Sequence, residues 1–73
     1  MIEIRLFATL RYGREKIYKL PADTFQKASD VLEYFQIEAE EVSIYLINGR
    51  HSQLNDLVKE GDIIALFPPV GGG

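Results

Sequence analysis

Ile63-Ile64-Ala65-Leu66-Phe67-Pro68-Pro69 is the stretch that decides the fold. Five successive apolar residues suit a central strand buried on at least one face, whereas a half-solvated strand alternates. Pro68 and Pro69 end it, because neither can donate to a ladder. Glu60-Gly61-Asp62 ahead of it reads as a tight turn. A central strand needs neighbours. Residues 42–47 form a second strong apolar run, followed by Asn48-Gly49, a pair that tolerates positive φ at both central turn positions. Residues 50–53 then read as a short return strand. Leu54 and Leu57 are spaced to anchor a single helical turn.

The N-terminal half supplies the rest. Residues 2–10 alternate, with Ile2, Ile4, Leu6, Ala8 and Leu10 on one side and Glu3, Arg5, Phe7 and Thr9 on the other, so a strand is expected there. Tyr12-Gly13-Arg14-Glu15-Lys16 is a turn, and Ile17-Tyr18-Lys19-Leu20 is the return strand of a hairpin, stopped by Pro21. The period then changes. Ala28, Val31, Leu32 and Phe35 fall at i, i+3, i+4 and i+7, one stripe of a helix, with Lys27, Asp30, Glu33 and Gln36 left for solvent. Asp23 with Gln26, or Thr24, is the expected cap, and Phe25 belongs to a strand end or a staple. Glu38-Ala39-Glu40-Glu41 reads as a solvated connection. One helix and one sheet must cover each other, which gives an α+β roll with the helical stripe on the sheet's inner face.

Composition excludes most other classes. A chain of 73 residues holds one domain and one small core, with no room for a deep catalytic cavity. With no cysteine there is no disulfide, thiolate metal site or Cys nucleophile. A net charge of −3 argues against nucleic acid as a partner. The longest apolar stretch, residues 63–70, is far short of the ~20 residues of a membrane span, so no membrane partner is expected. No cationic leader precedes the first strand, so a cytoplasmic location is expected. Glu38, Glu40, Glu41 and Asp62 lack the spacing of a calcium loop and read as solvated charge, so no metal is expected. His51, the only histidine, has no Ser or carboxylate placed beside it by sequence and is not expected to be catalytic.

After Pro68-Pro69 come Val70-Gly71-Gly72-Gly73. A division into a domain over residues 1–67 and a flexible tail over 68–73 is expected. From Pro68 the tail reaches at most about 20 Å. A terminal glycine run has no packing value, and its ordinary reading is a frayed end. Joined to a strand and a rigid Pro-Pro, it reads instead as a thin tip. Such a tip makes sense if its carboxylate must enter an active site on another molecule: without Cβ atoms, Gly72 and Gly73 would pass where any other residue would clash.

Phe67-Pro68-Pro69-Val70-Gly71-Gly72-Gly73 resembles the C-terminal signature of the MoaD branch of the MoaD/ThiS ubiquitin-like sulfur carriers. Ile4-Arg5-Leu6-Phe7-Ala8-Thr9-Leu10-Arg11 is similar to the family's opening strand, and Asn48-Gly49 and Glu60-Gly61-Asp62 match its hairpin and its last turn. The resemblance implies a β-grasp fold, a mixed sheet of four to five strands with one main helix packed on one face. It also implies a co-substrate rather than an enzyme. A ubiquitin-activating-type enzyme would use ATP to adenylate the Gly73 carboxylate, and a sulfur donor system would convert it to a thiocarboxylate, with no cofactor bound to this chain. The thiocarboxylate, presented by Gly72 and Gly73, would donate sulfur to a pterin precursor in the large subunit of molybdopterin synthase. Phe7, Arg11, Phe67, Pro68, Pro69, Val70 and Gly71 would meet that partner. His51 stands where the family's partner-facing surface is often apolar, and Gly71 where Ala, Ser or Thr is commoner. Three alternatives share the pattern: a carrier for thiazole, tRNA or amino-acid synthesis, a protein modifier forming isopeptide bonds through Gly73, and an interaction domain with an inert tail.

Overall fold

The apolar run at residues 63–67 goes to the middle of a five-stranded sheet. The computed structural model describes residues 1–69. Its elements are β1 (Ile2–Leu6), β2 (Ile17–Leu20), the helix α1 (Ala28–Phe35), β3 (Ile44–Ile47), β4 (Arg50–His51) and β5 (Ile63–Phe67). The sheet order is β2-β1-β5-β3-β4, with β5 parallel to β1 and antiparallel to β3. One helix grips the inner face of this mixed sheet, which is the β-grasp arrangement.

Alternation builds the core. Ile2, Ile4, Leu6, Ile64 and Leu66 are fully buried on the inner face, and Ala28, Val31, Leu32 and Phe35 meet them from α1. The Tyr45 hydroxyl ties the layers together, donating to the Ala28 carbonyl at 2.8 Å. Asn48 (φ 53°) and Gly49 (φ 80°) both take the left-handed region at the β3–β4 turn, the geometry that favours a two-residue hairpin. Asp62, buried at the start of β5, accepts from Asn48 Nδ2 at 2.9 Å and from the Lys59 N–H at 2.8 Å. Asn48 Oδ1 accepts from the Ile63 N–H at 2.9 Å, which locks this hairpin to the central strand.

Four local expectations are corrected. The first strand stops at Leu6 rather than running to residue 10. Ala8 takes φ 52° and opens a 3-10 turn over Ala8–Arg11, which exposes Ala8 and returns Leu10 to the core. The helix cap comes from Asp30, inside the helix, whose Oδ2 accepts from the Gln26 and Lys27 N–H groups at 2.9 and 3.0 Å. Asp23 and Thr24 instead lie in a 3-10 turn over Ala22–Thr24. Leu54 and Leu57 anchor no helical turn and stay exposed, while Val58 enters the core. The reason is that this segment serves α1: the Leu54 and Asp56 carbonyls accept from the Ser29 and Ala28 N–H groups, each at 2.8 Å. Those are donors a helix N-terminus otherwise leaves unpaired. Finally, the return strand spans Arg50–His51 only, although the Ser52 N–H still reaches the Tyr45 carbonyl at 2.9 Å.

Candidate functional site

With the even residues of β5 under the helix, its odd residues face away from the core. The strand register then assembles an outer face that no element of the described residues covers. Arg5 and Leu46 flank Ala65, and His51 lies opposite Leu46. Ile44 lies opposite Phe67, and Ile63 stands beside Glu3. Ile44 and Ile63 are 37% and 39% exposed. The centre of this face is therefore apolar and its margin carries Arg5, His51 and Lys19.

Phe7 and Phe67 lie against each other on it. Their rings stack with centroids 4.3 Å apart and planes 9° from parallel. The Phe7 N–H donates to the Leu66 carbonyl at 3.2 Å, holding the residue beside β5 after β1 has ended. The left-handed Ala8 turns the chain away immediately afterwards, so Phe7 is the last residue on this face. Pro68, half-buried, and Pro69, exposed, leave β5 directly from Phe67.

The expected partner-facing residues thus divide. Phe7, Phe67 and Pro68 come together at one end of the outer face. Arg11 is exposed on the 3-10 turn after Phe7 and is set apart from the rings. Val70, Gly71, Gly72 and Gly73 lie outside the described residues. Ile44, Leu46 and Ala65 join the patch without having been singled out. The signal for Ala65 is the unbroken apolar run of β5, which has more apolar faces than one helix covers, whereas Ile44 and Leu46 of β3 are brought there by cross-strand register. His51 sits at the patch margin, at one end of a row in which Arg5 and His51 bracket Ala65 and Leu46.

Nothing on this face is placed to make or break bonds. Two displaced pKa values both serve the fold. Backbone N–H groups of Lys27 and then Gln26 hold the Asp30 carboxyl below its usual range, and burial, followed by the charge of Asp30, pushes the Tyr45 phenol up. Among the described residues no group of three His, Cys, Asp or Glu side chains is close enough to hold a metal ion. No helix among them is long and apolar enough to cross a membrane. What the patch can do is bury itself against another surface.

A β-grasp domain of this size, with an apolar outer face leading into a Pro-Pro-Val-Gly-Gly-Gly end, belongs to the class of ubiquitin-like carriers and modifiers. More particularly, residues 4–73 match the ThiS family, and the chain belongs to it. No curated protein matches the chain. Among solved structures it is similar to SAMP1 from Haloferax volcanii, with a TM-score of 0.74 and 27% identity over 99% of this chain and 98% of that one. Another structure, of H. volcanii small archaeal modifier protein 1, gives 0.74 and 26% over 94% and 97%. The complex of subunits 1 and 2 of molybdopterin-converting factor from Helicobacter pylori 26695 gives 0.63 and 24% over 99% and 97%, a likeness of fold.

Proposed function

We propose that this chain is a sulfur carrier of the molybdopterin-synthase type, acting through its Gly73 carboxylate. A carboxylate is a poor electrophile. A ubiquitin-activating-type partner would join it to the α-phosphate of ATP, releasing pyrophosphate. A persulfide sulfur would then attack the carbonyl and expel AMP, leaving an acyl disulfide; a second thiol of the donor system would attack the sulfur remote from the acyl group, forming a disulfide and releasing the thiocarboxylate. The large subunit would take that sulfur into a pterin precursor and supply the acceptor chemistry. This chain contributes the acyl sulfur and a docking plate. In this reading the domain ends at Phe67 and the tail begins at Pro68.

The observation that carries the reading is the stacked Phe7–Phe67 pair at the root of the Pro-Pro-Val-Gly-Gly-Gly sequence. An apolar plate there would seat the domain while the glycines thread a narrow channel, and aromatic anchors dominate such interfaces. The family match extends to residue 73, so it includes the glycine end. A second reading is favoured by one comparison: SAMP1, called a modifier, is more similar in structure and sequence than the molybdopterin-converting factor. In that reading a lysine amine, rather than sulfur, captures the activated Gly73 acyl group.

Intact mass spectrometry after incubation with ATP, a persulfide donor and the adenylating enzyme tests both. Replacement of one oxygen by sulfur at Gly73 is expected. Formation of lysine conjugates alone would transfer the assignment to a modifier. With an active enzyme, no change at Gly73 would overturn both. The molybdopterin assignment itself is tested by adding the large subunit and the pterin precursor. A thiocarboxylate that forms but transfers no sulfur there would point to another acceptor.

A further inference from the structure

We propose that the free edge of β2 is a second docking site, taking an extended acidic segment of a partner protein as an added strand. This surface goes beyond the carrier reading and does not depend on it. Among the described residues, β2 is outermost in the sheet and pairs only with β1. The Leu6 N–H donates to the Lys16 carbonyl at 2.9 Å, which fixes the alternation of this antiparallel ladder. Lys16, Tyr18 and Leu20 turn their backbone groups toward β1. Ile17 and Lys19 turn theirs outward, and no turn or loop of the described residues bonds to them. Strand addition to such an edge is a general recognition mode.

Each face of the edge offers side-chain contact. On the outer face Ile17 is 44% exposed. On the inner face Tyr18 packs on Phe35 at 4.7 Å, Phe35 on Tyr34 at 4.9 Å, and Tyr34 edge-on to Phe25 at 5.5 Å. Tyr34 keeps 52% of its surface exposed. This aromatic row runs from the edge strand to the flank of α1, where alternate side chains of an added strand would lie.

Charge selects the occupant. Residues 1–20 carry five basic and two acidic residues, against three basic and nine acidic in the rest. Glu3 is paired with Arg5, which leaves Arg11, Arg14, Lys16 and Lys19 against Glu15. At the start of β2 an open cleft of about 640 Å³ is lined by Arg11, Tyr12, Arg14, Glu15 and Lys16. The Arg14 guanidinium is fixed there, donating to the Phe35 carbonyl at 2.9 Å and the Leu10 carbonyl at 3.1 Å. Lys19 then lies on the strand itself. A lysine on an edge repels basic strands and discourages pairing with an apolar one, which would bury its charge. It also disfavours pairing with β2 of a second copy, which brings the same cations, while β4 is only two residues long. An acidic segment is the strand this edge admits.

The test is NMR on the whole chain with a blocked peptide, Val-Thr-Val-Thr-Val-Glu-Glu-Glu, and a control ending in lysines. Amide shifts centred on Ile17 and Lys19 are expected, with ring shifts at Tyr34 and Phe35, and binding that weakens as salt rises. Lys16→Glu is expected to weaken binding roughly ten-fold. Lys19→Pro removes an outward N–H that an edge strand can spare. It is expected to abolish binding while the β1 amide pattern stays in place. Equal binding of the lysine control, shifts centred on Phe67 and Ala65, wild-type affinity in both variants, or no shifts at millimolar peptide would each overturn the proposal.

Discussion

If the outer face is a preformed docking plate, Phe7 and Phe67 must hold each other flat before any partner arrives. A double-mutant cycle measures that directly, using Phe7→Ala, Phe67→Ala and the pair. Each ring is half-buried, so truncating one loses about half the value of a fully buried Phe, roughly 1–1.5 kcal/mol. Each single change also removes the stack. At 4.3 Å and 9° such a contact contributes ~0.5–1.5 kcal/mol beyond its area. The singles are thus expected to cost about 2 kcal/mol each. The double should cost about 1 kcal/mol less than the two together, because the stack is lost only once. In a domain of this length each kcal/mol moves the Tm by about 4–8 °C. Urea denaturation with unchanged m-values is the assay. A coupling below about 0.3 kcal/mol, the size of ordinary non-additivity, would refute the reasoning. The rings would then be independent in solution, and a partner would have to order them as it binds.

Three other changes probe the frame that carries this plate. Tyr45→Phe removes the bond from β3 to the Ala28 carbonyl and is expected to cost about 1 kcal/mol in urea denaturation, with binding at the outer face unchanged. Asp62→Ala leaves the Lys59 N–H and Asn48 Nδ2 without their acceptor in a buried place, at a cost of ~2–3 kcal/mol; a loss under 1 kcal/mol would show that water replaces the carboxylate. Asp30→Asn keeps an acceptor but not the charge. Because backbone N–H groups of Lys27 and Gln26 depress the Asp30 pKa, the charged carboxylate stabilises the fold above the unfolded carboxylate range, and this contribution fades as pH falls through the lower folded value. The wild type is therefore expected to be the more stable at neutral pH and the two to converge in strong acid, by denaturation at about pH 7 and pH 2; a constant gap would mean that the charge is not what Asp30 contributes.

The helix was legible because its periodicity and its burial have one cause. Ala28, Val31, Leu32 and Phe35 are apolar at that spacing because that stripe meets the sheet. Its start was not legible. Asp30 caps it from inside, in a place where Asp23 and Thr24 are equally good local candidates, and two further donors are satisfied by carbonyls of Leu54 and Asp56, far along the chain, which leave no local pattern. The same bonds explain why Leu54 and Leu57, correctly spaced for a helical turn, form none. Ala8 was missed for a related reason: nothing in an alanine announces φ 52°, and what turns the chain there is the demand that Leu10 reach the core. Tertiary structure overrode local preference at each of these places.

The outer face was legible by the opposite route. Folding alone requires only Ile64 and Leu66 of β5 to be apolar, since only they lie under the helix at no exposure. Ile63 and Ala65 gain little from being apolar on an open face, Phe67 gains mainly through its stack on Phe7, and a strand of this kind normally alternates with polar residues there. Their apolarity, continued by Ile44 and Leu46 on β3, is more than the fold needs. Which neighbours join them depended on cross-strand register, so Phe7 and Phe67 were visible in the chain while Ile44 was not. Surplus apolar surface of this kind is information about a second molecule. It adjoins the end of β5, where Pro68 and Pro69 follow Phe67 directly.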